Sequence, residues 1–152
     1  MSESGNNILI IGVGNSGRAD DGLGWAFIDE VKTRLPQNYE YEYRYQLQVE
    51  DAELISQYDQ VYFVDAAITI WEEGFRMESC WLRADHGFST HELEPETVLY
   101  LADTLYDHRP EAYILGISGF SFDLEVGLTK EGEANLKQAL KFFDEKILNL
   151  IT

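Results

Sequence analysis

A single cysteine, Cys80, excludes an intrachain disulfide and a cysteine-built zinc site. It sits among the alternating residues of FRMESCWL, the place of an ordinary strand side chain. Positive charge is scarce as well: 11 lysines and arginines stand against 28 acids, a net charge of -17. Such a chain repels nucleic acid and anionic membranes, so neither is expected as a partner. No apolar run is long enough to span a bilayer, and MSESGNN lacks the basic start of a signal peptide. A cytoplasmic location is the expectation. Internal repeats, low-complexity tracts and linkers are also missing, which leaves one domain over residues 1–152.

What is present is a core and an alternation. With 45% hydrophobic and 13% aromatic residues the chain can bury a hydrophobic interior. NILIIGV (7–13) is a continuous apolar run, as in a strand covered on both faces. A helix is predicted next, with Leu23, Ala26, Phe27, Val31 and Leu35 on one face and Pro36 ending it. YEYEYRYQLQ (39–48) alternates as a half-exposed strand, and DAELISQY reads as a short helix capped by Asp51. QVYFVDAAI (60–68) and AYILGI (112–117) are further buried strands, and FRMESCWL (75–82) an edge or antiparallel one. Pro95 opens a helix carrying Val98, Leu101, Ala102 and Leu105. The last helix starts near Thr129 and aligns Leu136, Ala139, Leu140, Phe143, Ile147 and Leu150. The expected fold is a three-layer α/β domain: a mostly parallel, twisted sheet of about five strands with helices on both faces.

Ligand sites in such sheets lie beyond the carboxyl ends of the strands. Asp20 and Asp21 follow the first strand, Asp65 closes FVD, and His91 precedes the Pro95 helix. GVGNSG, from Gly12, satisfies the glycine spacing of dinucleotide-binding loops. A diphosphate there would rest against Asp20 and Asp21, and two unit charges about 4 Å apart cost about 4 kcal/mol at an effective dielectric of about 20. The helix dipole returns only about 0.3–1 kcal/mol. YRYQLQ, moreover, offers no acid for a ribose after the second strand. Nucleotide binding is therefore the weaker reading of the loop. Helix capping accounts for one aspartate well and for two adequately. Asp65 calls for a cleft, and carboxylates with an imidazole make a site for a hard-to-intermediate divalent metal. His91 taken alone reads as a loop or capping histidine, and His86 and His108 as surface residues.

GVGNSGRADDGLG resembles the G-x-G-N-x-x-x-x-D-D/E-G-x-G signature of the nickel–iron hydrogenase maturation endopeptidases. The likeness continues in order: QVYFVDAAI resembles the family's strand ending in Asp-Ala, and STHELEPETVLYLA its segment T-H-x-L-x-P-x-x-L-L-x-L-A. LYDHRPEAYILGISGFSFDLEVGLT resembles its Leu-Tyr, Pro-x-Ala, Gly-Ile and Gly-Leu-Ser/Thr landmarks, so the resemblance spans about residues 8–150. It implies that Asp21, Asp65 and His91 are the metal ligands and the catalytic centre, with Gly14 and Asn15 shaping the turn before them. It implies a nickel ion carried by the substrate, with zinc or cadmium as surrogates. It implies an aspartic-type endopeptidase, acting as a monomer, that removes a C-terminal extension from a hydrogenase large-subunit precursor after nickel insertion.

Two places depart from the commonest pattern. Gln46-Leu47 stands where many members carry an Asp-Gly or Gly-Gly turn, and GISGFSF lacks a proline after Gly-Ile; both resemble a Gln-Leu branch of the family. No serine or cysteine stands in a recognisable nucleophile setting, so bound metal either polarises a carbonyl and water or docks the substrate. Two other classes stay open beside the endopeptidase: a nucleotide-binding, Rossmann-like oxidoreductase and a non-catalytic nickel-site chaperone.

Overall fold

The computed structural model describes residues 7–81 and 93–151. Five strands form one sheet: β1 (Ile8–Val13), β2 (Tyr39–Arg44), β3 (Gln60–Ala67), β4 (Phe75–Ser79) and β5 (Glu111–Ser118), in the order β2-β1-β3-β5-β4. All neighbours are parallel except β4, which runs antiparallel to β5 at the edge. Among the described residues there are four α-helices: α1 (Leu23–Val31), α2 (Asp51–Ile55), α3 (Pro95–Tyr106) and α4 (Lys130–Ile151). Among the described residues no helix is long and apolar enough to cross a membrane.

The unbroken apolar run of β1 follows from its place between two helical layers. Ile8 and Ile10 pack with Phe27 and Ile28 of α1 and with Leu136, Ala139 and Phe143 of α4. Leu9 and Ile11 point the other way, to Ala52 and Ile55 of α2 and Val98, Leu99 and Ala102 of α3. Phe27 and Phe143 meet edge to face at 5.3 Å and lock α1 to α4. Burying either ring contributes about 1.5–3 kcal/mol. The expected three-layer architecture is the observed one.

Several local expectations shift. β2 stops at Arg44, so Gln46 is exposed beyond the strand while Leu47 turns into the core. α1 stops at Val31, and Leu35 packs from the turn beyond. Asp51 is not a cap: Glu50 holds that position, and the buried Asp51 carboxylate pairs with Arg44 at 3.0 Å and accepts the Gln48 N–H at 2.9 Å. α3 turns Leu99 inward and leaves Leu105 58% exposed in its last turn. His108 is half-buried, with Nε2 2.8 Å from the Tyr58 carbonyl. His86 and the side chain of Leu150 lie outside the described residues.

Candidate functional site

The chain leaves β1 toward β2 on one side and returns to β3 on the other, which makes the β1–β3 junction the switch point of the sheet. Ligand crevices open there because the connections part in opposite directions. Asp65 lies near the carboxyl end of β3, in register with Val13, the last residue of β1. Asp21 belongs to a single 3-10 turn, Ala19–Gly22, between β1 and α1. Gly14, next after Val13, has φ 146°, and its amide reaches the Arg44 carbonyl at 2.9 Å. A Cβ on Gly14 would collide with the Asp21 carbonyl oxygen and stand 3.8 Å from the Asp21 carboxyl carbon. Glycine at this position lets the Asp21 turn close over the end of β1. Both aspartates are half-buried at the same end of the sheet.

His91 lies outside the described residues. Among the described residues no group of three or more His, Cys, Asp or Glu side chains could hold a metal ion. Asp21 and Asp65 supply oxygen donors, the chemistry that suits a hard-to-intermediate cation.

The two adjacent aspartates do different work. Asp20 is fully buried, and its carboxylate accepts the Phe120 N–H at 2.7 Å, the Thr129 N–H at 2.8 Å and the Thr129 hydroxyl at 2.7 Å. A longer bond of 3.3 Å comes from the Ser121 N–H. Bonds to a charged acceptor contribute more than neutral ones, so Asp20 fastens the 3-10 turn to the segment between β5 and α4. Ser118 does the same for the loop after Asp65, donating to the Thr69 carbonyl at 2.8 Å and accepting the Trp71 N–H at 3.0 Å. Sequence reasoning missed Ser118 and Thr129 as positioning residues. The signal available was a serine at a strand end and a threonine before a helix, each of which also fits an ordinary turn.

The glycine-rich loop is no phosphate cradle. Its amides are taken: Asn15 by the Asp21 carbonyl, Gly17 by the Asn15 side chain, Ala19 by the Glu125 carbonyl, Asp20 by the Ser121 carbonyl and Asp21 by the Arg18 carbonyl. A diphosphate needs those N–H groups pointing outward. The glycines serve packing instead: a Cβ on Gly24 would meet the backbone oxygens of Val64 at 2.5 Å and Val13 at 2.9 Å. α1 therefore rests directly on β1 and β3, just beneath the two aspartates.

Cys80 takes no part in the site. It is buried against α3, and burial, aided by Glu96, pushes its thiol up to about 12.

No protein-family model matches the chain, and no curated protein does. Solved structures do. The fold is similar to that of the NiFe hydrogenase maturation protease HycI from Thermococcus kodakarensis KOD1, with a TM-score of 0.72 and 21% identity over 93% of each chain. It is similar to the hydrogenase 2 maturation peptidase from a Thaumarchaeota archaeon, with a TM-score of 0.68 and 19% identity over 93% of this chain and 97% of that one. The hydrogenase maturating endopeptidase HybD from E. coli follows, with a TM-score of 0.63 and 22% identity over 90% and 89%. Likeness at these identities establishes the fold.

Proposed function

We propose that the chain is a cytoplasmic, monomeric hydrogenase maturation endopeptidase, which removes the C-terminal extension of a NiFe-hydrogenase large-subunit precursor once nickel is in place. The observation that supports this reading is the placement of Asp21, in the turn after β1, and Asp65, near the end of β3, at the same end of a sheet whose fold resembles that of the maturation proteases. In this reading Asp21, Asp65 and His91 engage the nickel borne by the precursor, which brings the peptide to be cut to the carboxylates. With Gln46 standing where many members of the family carry an acid, docking of the metal in this reading rests on those three ligands. The hydrogen bonds that already engage most amides of the glycine loop favour this over nucleotide binding.

The test is a gel shift of a large-subunit precursor, loaded with nickel or free of it. Wild type is expected to cleave only the nickel-loaded form. His91→Ala should abolish cleavage, and Gln46→Ala should slow it only modestly. Equal processing of the nickel-free precursor would leave nickel docking without support, and full activity of His91→Ala would move the chemistry elsewhere. The isolated protein should bind nickel, zinc or cadmium weakly, and NAD should not raise its melting temperature.

A further inference from the structure

A cavity of about 240 Å³ lies behind the Asp21 turn. Its walls include Ala19 and Gly22 of the turn, Trp25 and Ala26 of α1, and Val126 and Leu128 of the segment before α4. Pockets for cofactors and free small molecules run from about 300 to 1,000 Å³. This one falls below that range and suits a single large side chain.

The cavity is exposed where a polypeptide would reach it. Val126 on its wall is 84% exposed, and Leu124 nearby in sequence is 79% exposed. The apolar surface continues from Trp25 to Tyr45, whose rings stand 5.2 Å apart and of which Tyr45 is 70% exposed. Trp25 is held there by its indole N–H, which donates to the Arg44 carbonyl at 3.1 Å. The ledge therefore runs from the cavity to the end of β2, where the exposed Gln46 follows. Charge adds to this picture. Asp123 and Glu125 are both exposed on the same segment as Val126, and the chain carries 28 acids against 11 bases.

We infer that this cavity is a specificity pocket, which receives one large apolar side chain from the protein substrate, on a segment that also carries positive charge. Interfaces concentrate their energy in such anchors, seated in a pocket and ringed by weaker contacts. The pocket shares the Ala19–Gly22 turn with Asp21, so a side chain seated in it fixes the substrate relative to the carboxylates. The inference rests on the endopeptidase reading.

Two variants test it. Val126→Glu places a charge on an exposed wall, where the fold does not depend on it. Ala26→Leu grows into the cavity from α1, and thermal melting checks that it folds. With nickel-loaded precursor as substrate, each is expected to raise KM about tenfold while kcat stays within about twofold, the pattern of lost uniform binding. Asp65→Asn should instead abolish kcat. Wild type that cleaves, with KM unchanged in both pocket variants, overturns the pocket and leaves the proposed function standing. Wild type that cleaves no precursor overturns both. A dimer in size-exclusion chromatography that Val126→Glu dissociates would give the pocket to a second copy of the chain and also overturn the inference.

Discussion

Asp20 and Asp21 are neighbours of the same type, and their fates differ because of residues about a hundred positions away. The Asp20 carboxylate is an acceptor for three short bonds, with no donor of its own. Asp20→Asn introduces an NH₂ that faces at least one of those donors. Bonds to a charged acceptor are worth about 1.5–3 kcal/mol, and a buried group left without its partner costs about 1–3 kcal/mol. For a chain of this length a loss of about 2–3 kcal/mol lowers Tm by about 5–10 °C, measurable by circular dichroism. Asp21→Asn leaves those bonds untouched and should lower Tm less than Asp20→Asn does. The sequence could not assign these roles. Spacing marked a pair of acids at a helix start, and only the segment from Phe120 to Thr129 separates the buried one from the half-buried one. Asp51 was misread for a related reason. It stands where a cap belongs, but its partner Arg44 lies on another element and satisfies it as an ion pair.

Whole elements were more legible than their ends. β1, β3 and β5 announced themselves because burial on both faces forces continuous apolar runs, and α4 because one stripe meets the sheet. The face of α3 was harder to read. Leu99 and Leu105 are equally apolar, and which one turns inward depends on where the helix runs past its neighbours. The seat of α1 on the strands left its sequence trace as glycines, Gly12 on β1 and Gly24 on the helix. Alanine in place of Gly24 would favour helix by about 1 kcal/mol, yet its methyl would press on the backbone oxygens of Val64 and Val13. Those atoms belong to strands and cannot swing aside. Gly24→Ala is therefore expected to destabilise by about 1–3 kcal/mol despite its better propensity. Since Val64 precedes Asp65, processing of precursor should fall as well. A urea titration and the gel shift check the two effects, and an unchanged or raised stability would contradict direct seating of the helix.

At the scale of the molecule, several buried or hydrogen-bonded acids hold their protons beyond the ordinary range. Burial pushes the Tyr62 phenol far up. The hydrogen bond to Glu111, followed by burial, raises Tyr113 to about 12, and burial raises Cys80 to about 12. Their ordinary values are 10.0 for the phenols and 9.0 for the thiol. Above those values the unfolded chain releases protons that the folded chain keeps. The folded state then binds more protons, so stability falls as pH rises. The loss should begin near pH 9 and continue toward pH 12, and repulsion within a chain already at -17 adds to it. Melting temperatures at half-unit steps from pH 8 to 11.5 are expected to hold up to about pH 9 and to decline beyond it. A Tyr62→Phe variant should decline less steeply. A flat profile would show that the phenols and the thiol ionise alike in both states.

The anchoring of Asp20 to Phe120 and Thr129 also has a consequence for how the protein is made. As the chain leaves the ribosome, residues 8–67 can emerge with β1, β2 and β3 complete, while the partners of Asp20 are still untranslated. Until they arrive, its carboxylate is served by water, and the turn that carries Asp21 is held by its local bonds to Asn15 and Arg18 without the ties to the later segment. Closing a loop of that length comes late, because contacts distant in sequence repay their entropy only after the nearer ones have formed. The sheet can thus assemble from its beginning, whereas Asp20 ties its turn to the segment before α4 only when that segment has been synthesised.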